Sequence, residues 1–318
     1  MTWVKVPDDV LEESRKLNRT VEQVLGTVPS VHTVEPATTR AQRAAGSGIF
    51  PAPVRLEDGI DRTIPGPAGD LPVRVFVPEQ VDGVYLHIHG GGWVLGSATQ
   101  QDVLLQTLAN LANVAVVSVD YRLAPEHSFP AGPDDCEAAA CWLVAHARAE
   151  FGATRLLIGG ESAGAHLSAL TLLRLRDRHD RADAFCGANL VFGAFDLGMT
   201  PSQRAWGERN LILSTPIMQW FYDLFTPGLS SEQRRAPSIS PLYADLRRLP
   251  PALFTVGTQD PLLDDSLFMA ARWHAAGNPA ELLVYPESIH GFLAFPTGIA
   301  RLAIEAQVAF VRQRLTSA

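Results

Sequence analysis

The chain has 318 residues, 47% of them hydrophobic and 19% charged, which is enough apolar material for one large buried core or at most two small ones. That mixture excludes a disordered or collagen-like chain. With 26 Lys and Arg against 34 Asp and Glu, the formal charge is −8. No basic run occurs, which argues against a nucleic-acid partner and against electrostatic attachment to an anionic membrane.

The first residues, MTWVKVPDDVLEESRK, are broken by charge from Lys5 onward. They lack the apolar stretch of about 7–15 residues that a signal peptide needs. The longest apolar runs further on, such as 114–117, are strand-sized and far short of the ~20 residues that cross a bilayer. A soluble, cytoplasmic protein is expected. Residues 1–50 read as short polar helical stretches. From about residue 55, short β-branched runs alternate with longer Ala- and Leu-rich segments, the βαβ pattern of a mostly parallel sheet.

Strands are expected at 62–64, 73–77, 84–88, 114–119, 155–159, 188–192, 252–256 and 281–285. The first two are joined by the Pro- and Gly-rich IPGPAGDLP, too short for a crossover helix, so that pair should be antiparallel. Helices are expected at 100–113, 133–151, 162–178, 264–276 and 298–315. Pro133 suits a first helical turn, and Asp134 and Asp135 read as solvated charges at the positive end of the helix dipole, as does Asp265 in the fourth helix. Residues 195–248 break the alternation with an aromatic run, IMQWFYDLF, and several prolines. Together with residues 1–50 they are expected to cap the sheet, leaving 51–318 as the main domain with the insertion inside it. Cys136, Cys141 and Cys186 show no metal-binding spacing and read as buried structural thiols.

Gly160-Glu161-Ser162-Ala163-Gly164 follows the strand RLLIG and opens a helix. This G-x-S-x-G is the nucleophile-elbow pattern, in which a serine sits on a sharp strand-to-helix turn. The bland alternative is a glycine-rich turn with a capping serine. His89-Gly90-Gly91-Gly92-Trp93 follows the strand VYLHI and is far rarer by composition. Consecutive glycines let backbone N–H groups approach a substrate, and with the N–H of Ala163 they can face a developing oxyanion. A phosphate cradle is disfavoured because no Lys follows the glycines.

A hydroxyl nucleophile needs a base, and the base needs an orienting group. Asp260 and His290 both lie just past the carboxyl ends of expected strands, where α/β sheets place their sites. The order Ser162, Asp260, His290 is that of the α/β-hydrolase arrangement. Of the three acids in DPLLDD, Asp260 comes first after its strand, whereas Asp264 and Asp265 are already explained by capping.

With these motifs together, the chain resembles the hormone-sensitive-lipase-like branch of α/β-hydrolases, the bacterial carboxylesterases with an HGGG motif. The resemblance runs over roughly 75–310. Besides HGGGW and GESAG it takes in Asp120 to His127 (DYRLAPEH), Ser240-Pro241-Leu242, Leu249-Pro250-Pro251, Asp260 to Asp264 and His290-Gly291-Phe292. It implies an eight-stranded, mostly parallel sheet flanked by helices, with a helical cap drawn from the two irregular segments. It also implies Ser162 as nucleophile, His290 as base, Asp260 as orienting acid, and Gly91, Gly92 and Ala163 as oxyanion hole. The chain departs from the branch at Glu161, where Asp is commoner. Glu161 reads as structural, with a longer side chain that must find a different partner. Arg122 and Glu126 read as loop-organising and His89 as shaping the glycine loop, while His87 carries no comparable signal.

The implied activity is hydrolysis of short- to medium-chain carboxylic esters through an acyl-enzyme, with no metal or organic cofactor. An amidase, lactonase or arylformamidase is the alternative, since the same triad serves each, and a non-catalytic small-molecule receptor is the remoter one. Trp206, Leu211, Ile217 and Phe221 of the insertion are candidate pocket residues, with Trp93 and Phe292 added to them. Ordinary packing competes with that reading for the helical stripe Ile217, Trp220, Phe221, Leu224 and Phe225. The expected partner is a small-molecule ester, with a homodimer left open.

Overall fold

Strands that are apolar almost throughout can be buried only by cover on both faces. The computed structural model, which describes residues 2–316, places them in one sheet of nine strands. These are β1 (Thr2–Trp3), β2 (Ile60–Gly66), β3 (Gly69–Phe76), β4 (Gly83–Ile88), β5 (Val114–Val119), β6 (Leu156–Glu161), β7 (Gly187–Val191), β8 (Ala252–Gln259) and β9 (Ala280–Ile289). Their order is β1-β9-β8-β7-β6-β4-β5-β3-β2. Among these strands only β3 runs against its neighbours, pairing antiparallel with β2 and with β5. The expected hairpin is the first of these, closed with Gly66 opposite Gly69. All eight expected strands are present. The ninth, β1, lies parallel to the end of β9 with Thr2 opposite Leu283, and at two residues it is too short to show a period of its own.

Among the described residues, nine helices surround the sheet: α1 (Asp8–Leu25), α2 (Pro36–Ala44), α3 (Asp102–Ala112), α4 (Ala131–Phe151), α5 (Ala163–His179), α6 (Pro201–Ala205), α7 (Thr215–Phe225), α8 (Leu263–Ala275) and α9 (Gly298–Thr316). Alternate residues of the strands point to opposite faces. Tyr85 of β4 and Val116 of β5 pack with Leu105 and Leu108 of α3 and Val311 of α9. Leu86 and Ile88 of β4 turn the other way, into the larger core that holds Leu143 of α4, Leu167 of α5 and Trp273 of α8. Each such side chain, once buried, contributes about 1.5–3 kcal/mol. Of the two irregular segments, the first packs α1 against β9, and its turn at Val31–Thr33 meets α7 of the second. Among the described residues no helix is long and apolar enough to cross a membrane.

Three sequence expectations need correction here. Asp265 is fully buried in α8 rather than solvated. Its Oδ1 accepts from the backbone N–H groups of Phe195 and Asp196 at 2.7 and 2.9 Å, and its Oδ2 from Thr200 Oγ1 and Gln203 Nε2, both at 2.7 Å. Burial pushes this carboxyl up to about 7, with the four donors pulling the other way. Asp135 is also buried, because Arg122 folds back onto it with contacts of 2.8 and 2.9 Å. Of the three thiols only Cys136 is buried, while Cys141 and Cys186 are half-buried. Five residues along α4 turn Cys141 by roughly 140° away from the face of Cys136.

Candidate active site

The strand β6 and the helix α5 meet at Ser162 without any linker, so the turn between them is taken up by one residue. Ser162 sits at φ 57°, ψ −117°, and its N–H donates to Val191 O at 2.8 Å. A non-glycine residue at positive φ is strained, and the flanking glycines show why the strain is held here. A Cβ on Gly164 would lie 1.8 Å from Ile88 O, and one on Gly160 would lie 1.9 Å from the same atom. The elbow is therefore pressed against the end of β4, the strand that feeds the glycine loop. Ser162 also stands at the positive end of α5, whose first N–H groups have no intrahelical acceptor.

His290 follows β9 and Asp260 follows β8, two neighbouring strands that end side by side. His290 Nε2 is 3.0 Å from Ser162 Oγ, and His290 Nδ1 is 2.9 Å from Asp260 Oδ2. Asp260 Oδ1 accepts the backbone N–H of Leu262 at 2.8 Å. With one carboxylate oxygen held by that N–H, the other faces the imidazole, so Nδ1 donates and Nε2 is left to accept the serine proton. Asp260 and His290 are 1% and 5% exposed. The ring of Phe192 packs edge-on against His290, with centroids 4.8 Å apart.

The loop after β4 carries three positive φ angles in succession, 124° at Gly91, 62° at Gly92 and 61° at Trp93. A Cβ on Gly91 would stand 2.1 Å from Leu95 O, and one on Gly92 would stand 2.3 Å from the ring of Phe221. Supports reach the loop from several sides. Tyr121 Oη donates to His89 O at 3.0 Å, and His89 Nδ1 donates to Gly90 O at 2.8 Å. Burial lowers the pKa of His89, while the Gly90 contact, which a protonated ring could make equally well, pulls the other way. From α2, Arg40 Nε donates to Val94 O at 2.7 Å and Arg40 Nη2 to Ala124 O at 2.6 Å. The same guanidinium takes Glu126 in two contacts of 2.8 Å each, which gives Glu126 its partner. Nothing in the sequence signals Arg40, since its partners lie more than fifty residues away.

Glu161 points to the opposite face of the sheet from the elbow. Its carboxylate lies 3.2 Å from His87 Nε2, and His87 Nδ1 is 2.8 Å from Ser118 Oγ. His87, without any signal of its own in the sequence, is the partner that the longer acid reaches. Only the pairing of β4 with β6, which sets His87 opposite Gly159, brings the two together.

Of the candidate pocket residues, Phe221 is brought against Gly92 and Phe292 packs on Phe192 beside His290, with ring centroids 6.0 Å apart. Trp93 is turned into the core instead. It is 3% exposed, stacks on Phe225 at 4.7 Å, and its indole N–H is bonded to His166 Nδ1 at 3.0 Å. Leu211 and Ile217 are buried within the insertion, and Trp206 is half-buried with its indole donating to Arg209 O at 2.7 Å. A hydroxyl in line with an imidazole and a buried carboxylate, beside a glycine loop whose backbone carries N–H donors, can attack an acyl carbon and hold the charge that forms on its oxygen.

Comparison with known proteins gives the setting. A family model described as the alpha/beta hydrolase fold matches residues 85–294. The carboxylic ester hydrolase LipN of Mycobacterium tuberculosis is 33% identical over 298 residues, covering 91% of this chain and 79% of that protein. The carboxylesterase NlhH of the same organism is 38% identical over 240 residues, covering 71% of this chain and 72% of its own. Among solved structures, the hyperthermophilic esterase from Pyrobaculum calidifontis superposes with a TM-score of 0.84 at 31% identity, covering 95% of this chain and 98% of its own. A hormone-sensitive lipase from a metagenome library does so with a TM-score of 0.82 at 28% identity, covering 95% of this chain and 98% of its own.

Proposed function

The chain belongs to the α/β-hydrolase fold family, in its hormone-sensitive-lipase-like branch of esterases, and from that premise we propose that it hydrolyses carboxylic esters through an acyl-enzyme on Ser162. One observation carries the reading: an unbroken line from Asp260 through His290 to Ser162 Oγ, with contacts of 2.9 and 3.0 Å.

His290 takes the Ser162 proton as the oxygen attacks the ester carbonyl, and the N–H groups of Gly91, Gly92 and Ala163 receive the oxyanion. The imidazolium then gives its proton to the leaving alcohol. Water, activated by the same imidazole, attacks the acyl carbon and releases the acid. Asp260 stays ionised throughout, holding the tautomer and stabilising the imidazolium. Residues 1–50 and 195–248 cover the site as a cap, with Phe221 against Gly92 and Phe292 on the Phe192 ring that packs on His290. A covered site of this kind favours short to medium acyl chains over emulsified fat. Cytoplasmic residence completes the proposal, and cell fractionation tests it.

The substrate assignment is tested with p-nitrophenyl esters of graded chain length, with matched amides and lactones alongside. The expected result is a kcat/KM maximum at a short or medium ester. A higher kcat/KM for the amides or the lactones would overturn the assignment.

A further inference from the structure

Trp93 is the third residue of a left-handed run in the glycine loop, and the only one of the three with a side chain to strain it. Something must hold a bulky residue in that conformation, and three contacts on its ring do so. Phe225 stacks on it with an interplanar angle of 11°, Tyr222 flanks it at 5.8 Å, and His166 meets it edge-on at 5.0 Å. Only the last contact includes a hydrogen bond, from the indole N–H to Nδ1.

His166 is buried completely, four residues past Ser162 on α5. Its other ring nitrogen, Nε2, lies 2.7 Å from Ile239 O. A carbonyl can only accept, so Nε2 carries the proton. An indole N–H can only donate, so Nδ1 is bare. The two partners together dictate one neutral tautomer, and burial, which lowers the pKa of this ring to about 4, agrees with it. The backbone N–H of His166 meanwhile donates to Ser162 O at 3.2 Å. One residue is thus bonded to the nucleophile's own carbonyl, to the glycine loop and to the returning chain of the insertion.

We infer that His166 is a positioning residue, a neutral strut that fixes the glycine loop relative to the nucleophile helix through Trp93. The inference rests on the proposed oxyanion role of Gly91 and Gly92. If the strut is lost, the loop's N–H groups are free to drift from the place where the oxyanion forms. Binding of the ester in its ground state uses other contacts and changes little. The signature is therefore a fall in kcat at nearly constant KM.

Five variants test this with p-nitrophenyl butyrate: Trp93→Phe, His166→Leu, the double Trp93→Phe/His166→Leu, His166→Gln and Ser162→Ala. Trp93→Phe keeps an aromatic ring in the stack and removes the donor together with part of the ring's packing. It and His166→Leu should each lower kcat by about ten- to a hundredfold, short of the ~10²–10³ for an oxyanion donor removed outright. KM should stay within about threefold. His166→Gln, whose amide offers an acceptor and a donor, should recover most of the loss. The double variant Trp93→Phe/His166→Leu should be no worse than the less active single one, because both cut the same bond. Affinity for a trifluoromethyl ketone, whose adduct carries the oxyanion, should fall in parallel with kcat.

If Trp93→Phe turns over at the wild-type rate while Ser162→Ala is inactive, the strut is wrong and the proposed mechanism stands. If Ser162→Ala keeps its activity, both are overturned. Should His166→Leu fail to fold, Trp93→Phe with the ketone affinity decides the matter alone.

Discussion

Asp260 and Asp265 stand five residues apart, both carboxylates and both buried, yet their surroundings assign them different work. Asp260 spends one oxygen on Leu262 N–H and the other on His290. Asp265 spends both on donors from residues 195–203. Asp260→Asn should leave the fold intact and lower kcat by up to about 10⁴, because the amide favours the wrong imidazole tautomer, as the same change does in a serine protease. Asp264→Asn, near the start of α8, should keep most of its activity. Asp265→Asn should cost stability instead, about 1–3 kcal/mol, since it turns an N–H₂ toward groups that are themselves donors. The three are separated by kcat at saturation and by urea unfolding, and an Asp264→Asn variant with crippled kcat would refute the assignment. The place of Asp260 beside His290 was legible in the sequence because it depends on the end of one strand. That of Asp265 was not, because its four donors come from a segment more than sixty residues earlier, which local pattern ties only to a helix start.

At the scale of elements, the two glycine motifs are a single packed unit. The backbone of β4 ends where the elbow of β6 and α5 needs room, and no Cβ fits at Gly160 or Gly164. Gly164→Ala should therefore displace the elbow and remove activity together with stability. Gly92→Val should act more locally. Its side chain meets Phe221 and resists a φ of 62°, so kcat should fall by at least ~10²–10³. A Gly92→Val enzyme with wild-type kcat on p-nitrophenyl acetate would detach the loop from the chemistry. Strand identities were readable because period and β-branching are local properties. The supports of the loop were not, because Arg40, Tyr121 and His166 reach it from three different parts of the chain. A residue such as His87 shows its use only once β4 and β6 are known to be neighbours.

For the whole molecule, the buried His166 couples stability to pH. An unfolded chain takes up a proton on His166 near the ordinary value of about 6.5. The folded chain resists it until about 4. Between those limits the unfolded state binds more protons, so this residue drains stability as pH falls, by up to roughly 3 kcal/mol. The pH window is isolated by comparison with His166→Gln. The unfolding free energy of the wild type, relative to that of the variant, should decline from pH 6.5 to pH 4, and a constant difference would contradict the buried, neutral ring.

All of the proposed chemistry depends on Ser162 being the acyl-carrying nucleophile. That is tested most directly by treating the wild-type enzyme with a fluorophosphonate, mapping the adduct by peptide mass spectrometry, and following ester hydrolysis in the same sample. One adduct is expected, on Ser162, with activity lost in proportion to its formation. An adduct on another residue, or full hydrolysis with Ser162 completely modified, would contradict the assignment.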